Sequence, residues 1–121
     1  MKLMSSNTDV NEVSLISFGV EIKGDINSNG SIRIDGKVNG NVTAEGNFIL
    51  GETGEVKGYI KAKNITIGGK IEGTVLSKEK LVLEAKAELI GDISAQILVV
   101  QEGAKFEGKS KMNLYNSSAE G

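Results

Sequence analysis

A chain of 121 residues has room for one compact domain with short flanks. It carries 14 basic and 16 acidic side chains for a net charge of −2, together with 16 glycines and no proline, cysteine, histidine or tryptophan. Those absences remove disulfides, thiolate metal sites and the commonest general base and zinc ligand, and no run of lysines and arginines could follow a phosphate backbone, so neither a cofactor nor nucleic acid is expected.

In chain order, residues 1–15 open on Met1-Lys2-Leu3-Met4-Ser5-Ser6-Asn7 and lack the apolar stretch of about 7–15 residues that an export signal needs. No window approaches the ~20 apolar residues required to cross a bilayer. The segment is rich in Ser, Asn and Glu, so it reads as a flexible tail, and a cytoplasmic location is expected.

Between 32 and 50 the even positions are Ile32, Ile34, Gly36, Val38, Gly40, Val42, Ala44, Gly46, Phe48 and Leu50. The odd positions between them are polar except for Ile49. This is the period of two that marks β-structure. An ordinary strand runs about 5–6 residues, whereas this alternation continues through several strand lengths with glycine on its apolar phase. The chain is expected to bend at those glycines while keeping one face inside.

The unit apolar-x-Gly-x recurs as Ile22-Lys23-Gly24-Asp25, Val38-Asn39-Gly40-Asn41, Val56-Lys57-Gly58-Tyr59, Ile71-Glu72-Gly73-Thr74, Leu89-Ile90-Gly91-Asp92 and Phe106-Glu107-Gly108-Lys109. The glycines are separated by steps of 16, 18, 15, 18 and 17, so one coil takes about seventeen residues. Three sides of about four to six residues would fill such a coil. The predicted fold is all-β, a single parallel β-helix of about six rungs stacked ~4.8 Å apart, roughly 30 Å long. Residues 64–69 and 79–84 open two of the coils, each with an expected change in the parity of the apolar phase.

The residue before each unit reads Glu21, Lys37, Glu55, Lys70, Glu88 and Lys105, with alternating signs. If the coils stack in register, these side chains form a ladder of opposite neighbours. An exposed pair is worth only ~0–1 kcal/mol. A one-rung slip, however, would set like charges together along the whole column, so the ladder is expected to fix register. The plainer reading is that charged residues simply face water.

Motifs that could carry chemistry fail on their neighbours. Gly68-Gly69-Lys70 resembles the end of a phosphate-binding loop, but the earlier glycine is missing and Ile71 stands where Ser or Thr would bind magnesium. Asp25, Asp35 and Asp92 fall on different coils, with no dense carboxylate run for a hard cation. Hexapeptide-repeat acyltransferases, the enzyme rival among short-coil β-helices, use a histidine this chain lacks. A non-enzymatic protein is expected.

The segment Ser31-Ile32-Arg33-Ile34-Asp35-Gly36-Lys37-Val38-Asn39-Gly40-Asn41-Val42 closely resembles the signature of the bactofilins. Gly19-Val20-Glu21-Ile22-Lys23-Gly24-Asp25-Ile26 before it, and Gly54-Glu55-Val56-Lys57-Gly58, Gly69-Lys70-Ile71-Glu72-Gly73, Leu89-Ile90-Gly91-Asp92-Ile93 and Glu102-Gly103-Ala104-Lys105-Phe106-Glu107-Gly108 after it, extend the likeness over 16–112. Residues 113–121 are expected to form a second flexible tail.

The resemblance implies a right-handed, triangular β-solenoid and nucleotide-independent self-assembly into filaments, with roles in cell shape beside peptidoglycan-modifying enzymes. It points to apolar residues of the terminal coils as the polymerisation interface: Phe106, Leu98 and Val99 at one end, and Val20, Ile22 and Ile26 at the other. Phe106 is the sharper candidate, since no further coil of its own chain would cover it. The resemblance also suggests peripheral membrane contact through Met1, Lys2, Leu3 and Met4. Self-association is the expected partnership, with a peptidoglycan hydrolase or another scaffold protein beside it. The alternative is a non-polymerising β-helical adaptor that docks such a hydrolase.

Overall fold

The computed structural model describes residues 14–112, so Met1, Lys2, Leu3 and Met4 lie outside the described residues. The described residues form strands and turns and no helix. In chain order the strands are β1 (Ser14–Ile16), β2 (Glu21–Lys23), β3 (Ile26–Ser28), β4 (Ile32–Ile34), β5 (Lys37–Ala44), β6 (Asn47–Leu50), β7 (Glu55–Ile67), β8 (Lys70–Leu83), β9 (Glu88–Ala95), β10 (Ile97–Val100) and β11 (Lys105–Met112). Every pairing is parallel, and each strand pairs with the one that stands a full turn away along the chain. The result is a solenoid of six stacked coils, each with three sides.

The alternation of the sequence is the alternation of the core. Inward side chains stack into columns, such as Ile22, Val38, Val56, Ile71, Leu89 and Phe106 on one side. Ile32, Phe48, Ile65, Leu81 and Leu98 form another column on a second side. Most of these side chains are shut off from water, and a buried Val, Leu, Ile or Phe contributes about 1.5–3 kcal/mol. At the narrow corner the inward column is small: Ser28, Ala44, Ala62, Ser77 and Ala95. There the Ser77 hydroxyl lies 2.8 Å from the Lys80 carbonyl and 3.1 Å from that of Lys63, so the single proton of a buried hydroxyl has a backbone acceptor on either side of a bend.

The recurring glycines meet in one column, Gly24, Gly40, Gly58, Gly73, Gly91 and Gly108. At Gly91, φ is +140°, and a Cβ there would run into the carbonyl of Gly73 on the preceding coil. The repeat therefore keeps glycine for two reasons at once: a backbone angle that L side chains avoid, and coils packed backbone to backbone.

The uneven repeat length comes from the corners. Four-residue turns at 17–20, 51–54, 84–87 and 101–104 close with a backbone hydrogen bond from the last amide to the first carbonyl, at 2.9–3.1 Å. Shorter links at 35–36 and 68–69 separate β4 from β5 and β7 from β8. The inward phase changes between Ala62 and Ile65, next to the register shift of β7 on β8, as expected for 64–69. The change expected at 79–84 is not there: Ser77, Leu81 and Leu83 keep one parity, and the second change falls between Ala95 and Leu98. Three residues link the inward positions at 77 and 81, which preserves parity, whereas two link 95 and 98.

Candidate functional site

The ladder column stands in register on adjacent coils, Glu21 beside Lys37, Lys37 beside Glu55, Glu55 beside Lys70, Lys70 beside Glu88 and Glu88 beside Lys105. Strand pairing brings all six to one edge of the rod. Among the described residues one pair of this column closes to an ion pair, Lys37 Nζ to Glu55 Oε1 at 3.8 Å. The remaining neighbours face each other across water-exposed space, where attraction is weak and long-range.

A second set of cross-coil bonds was hidden from the sequence reading. At the corner before the second side, the Asn47 amide donates to Ser31 Oγ at 3.1 Å, Asn64 Nδ2 donates to Asn47 Oδ1 at 3.2 Å, and the Lys80 amide donates to Asn64 Oδ1 at 3.3 Å. Each polar side chain satisfies a group one coil away, at a bend where the backbone ladder is interrupted. These positions recur at the coil spacing, 16, 17 and 16 residues apart, but Ser and Asn there look like ordinary exposed polar residues.

The two ends of the rod differ. At the first coil, Ile22 and Ile26 belong to the core at 2% exposure, and Val20 is half-buried against it. At the last coil Leu98 is also core, whereas Phe106 and Val99 are half-buried and Val100 is 38% exposed. Both ends carry hollows: one of about 320 Å³ beside Phe18, Val20 and Glu21 at the first coil, and at the last coil one of about 400 Å³ lined by Leu89, Ile90 and Phe106 with the charges of Glu88, Lys105 and Glu107 around it. Another of about 380 Å³ lies between Thr74, Asp92, Ile93 and Ser110. Of the six apolar residues expected at the ends, Phe106, Val20 and Val99 are thus partly accessible, while Ile22, Ile26 and Leu98 are enclosed. Among the described residues, β1, β2 and β3 have no strand on their outer side, and neither do β10 and β11.

One side of the rod has an apolar outer column: Leu15, Arg33, Ile49, Thr66, Val82 and Val99 stack in register. Its one charge, Arg33, is held by a two-pronged contact to Asp35, with Nε to Oδ2 at 3.0 Å and Nη2 to Oδ1 at 3.2 Å.

Among the described residues no group of three or more His, Cys, Asp or Glu could hold a metal ion, and no helix is long and apolar enough to cross a membrane. A family model described as bactofilin, polymer-forming cytoskeletal, matches residues 14–111 of the chain. No curated protein and no solved structure matches it.

Proposed function

This chain belongs to the bactofilin family of polymer-forming cytoskeletal proteins, and from that premise we propose that its copies stack end to end into filaments without a nucleotide. The filament scaffolds cell-shape or wall-modifying machinery in the cytoplasm. The observation that carries this reading is the pair of open ends: among the described residues, strand edges without a partner at both terminal coils, and a half-buried Phe106 beside a hollow at the last one. An unpaired edge is a template for another strand, and a second copy supplies both the missing hydrogen bonds and the missing cover over Phe106.

Negative-stain imaging of the purified full chain, with and without added nucleotide, tests the proposal. Filaments are expected in both cases. Uniform short rods at all concentrations would overturn it. Phe106→Arg places a charge in the join and is expected to dissolve the filaments while the circular dichroism spectrum keeps its β signature.

A second reading, a short adaptor rod that docks a peptidoglycan hydrolase, draws on the apolar outer column of Leu15, Ile49, Val82 and Val99. The same imaging separates the two, since an adaptor needs no polymer.

A further inference from the structure

We propose that Asn29 is a site of spontaneous deamidation, left open by the fold there and shut at the chain's other Asn-Gly step, Asn39-Gly40. The reaction needs water alone. The Gly30 backbone nitrogen attacks Cγ of the Asn29 side chain, a C–N bond forms, and the side-chain amide leaves as ammonia, carrying the proton that the backbone amide gave up. Water then adds to either carbonyl of the five-membered imide. One opening gives aspartate, and the other gives isoaspartate, in which the main chain runs through the former side-chain carbon.

The dipeptide alone does not separate the two sites. Each offers a nitrogen on a residue without Cβ, so nothing crowds the approach of Cγ, and both asparagines are exposed. Backbone pairing separates them. Asn39-Gly40 lies inside β5, paired with β2 on one edge and β7 on the other, with the Gly24 amide donating to the Asn39 carbonyl at 3.0 Å. A Cβ at Gly40 would strike the Gly24 carbonyl and one at Gly58 would strike the Gly40 carbonyl, so this peptide is clamped between two coils. Ring closure needs the side chain folded back onto the next nitrogen, out of the extended form. At Asn39 that requires the coils to part. Asn29-Gly30 is instead a bend between β3 and β4. Its attacking amide donates to Ser28 Oγ at 3.2 Å, a bond within the bend itself. Releasing that nitrogen leaves the coils stacked.

The product matters because the bend is held on both sides. The Glu45 amide donates to the Ser28 carbonyl at 3.0 Å and the Gly46 amide to the Gly30 carbonyl at 2.9 Å. Isoaspartate adds one carbon to the main chain between those two carbonyls, so both bonds cannot keep their geometry. Either product also places a carboxylate one coil from Glu45, where like charges repel. The first coil, whose strands are three residues each, thus loosens with age while the middle of the rod stays intact.

The test holds the purified full chain at mildly alkaline pH, in buffer and in denaturant, and follows conversion of amide to acid at each asparagine by peptide mapping and mass spectrometry. The rate in denaturant is each site's own reference. In buffer Asn29 is expected to keep most of its reference rate, and Asn39 to slow at least about tenfold, because it reacts only through local opening. Equal slowing at both sites, or stronger slowing at Asn29, would overturn the proposal.

Hydrogen exchange reads the consequence. The amides of β2 and β3 are expected to lose protection in the aged chain but not in N29Q aged beside it, since glutamine closes its larger ring far more slowly. Equal protection in the two would overturn the loosening of the first coil.

Discussion

The middle of the rod and its ends are built from one repeat but hold themselves together differently. In the third to fifth coils, β7 and β8 run 13 and 14 residues around the corners, and Val56, Ile60, Ile65, Ile67, Ile71, Val75, Leu81 and Leu83 are fully enclosed. The first coil is three strands of three residues each, and the last coil leaves Phe106 half open. A coil with neighbours on both faces gains burial twice, whereas a terminal coil gains it once. The difference teaches that burial is deepest in the middle and that, among the described residues, each terminal coil has a strand on one face only.

The contrast is sharpest for two phenylalanines. Phe48→Ala empties a fully enclosed site in the third coil and is expected to cost ~3–5 kcal/mol, seen as a large fall in denaturation midpoint. Phe106→Ala removes the equivalent bulk from an open end, with a much smaller loss in the single chain but weakened filaments. Equal losses would erase the distinction between middle and end.

Glycine gives the next test. Gly58→Ala forces a side chain into φ +142° and against the Gly40 carbonyl, with the fourth coil stacked on its other side, so a loss of about 1–3 kcal/mol is expected from thermal melting. Gly108→Ala meets a comparable angle on a coil that can lift away from Gly91, and the loss should be smaller.

The smallest effect belongs to the ladder. Lys70→Glu puts a carboxylate between Glu55 and Glu88. Exposed pairs are worth at most ~1 kcal/mol each, so the melting temperature should drop by a few degrees at low salt and by less at high salt. An unchanged melting curve would remove the ladder from the account of register.

Much of this architecture was legible because a solenoid writes its geometry as a period. The stacked glycines and the column from Glu21 to Lys105 follow from counting residues, since parallel register turns equal spacing into adjacency. The corners were not legible. Whether two or three residues link the inward positions depends on which backbone groups need a partner there, and the answer lies in Ser77 between two carbonyls and in the relay of Ser31, Asn47 and Asn64. That is why the change of phase expected at 79–84 occurs instead between Ala95 and Leu98. At the ends, the resemblance pointed to Ile22, Ile26 and Leu98 together with Phe106, the sharper candidate; alternation tells inside from outside but not how completely an inside position is covered, and Ile22, Ile26 and Leu98 are enclosed.

Parallel strands stacked coil on coil direct their backbone hydrogen bonds along the long axis of the rod. A stretching force along that axis is borne by the coil junctions in series, like links of a chain, so the weakest link sets the breaking load. Within one copy that link is where β1, β2 and β3, three residues each, meet the second coil. Under tension the first coil should peel away before the middle yields, which would make it a mechanical fuse that spares the rest of the fold.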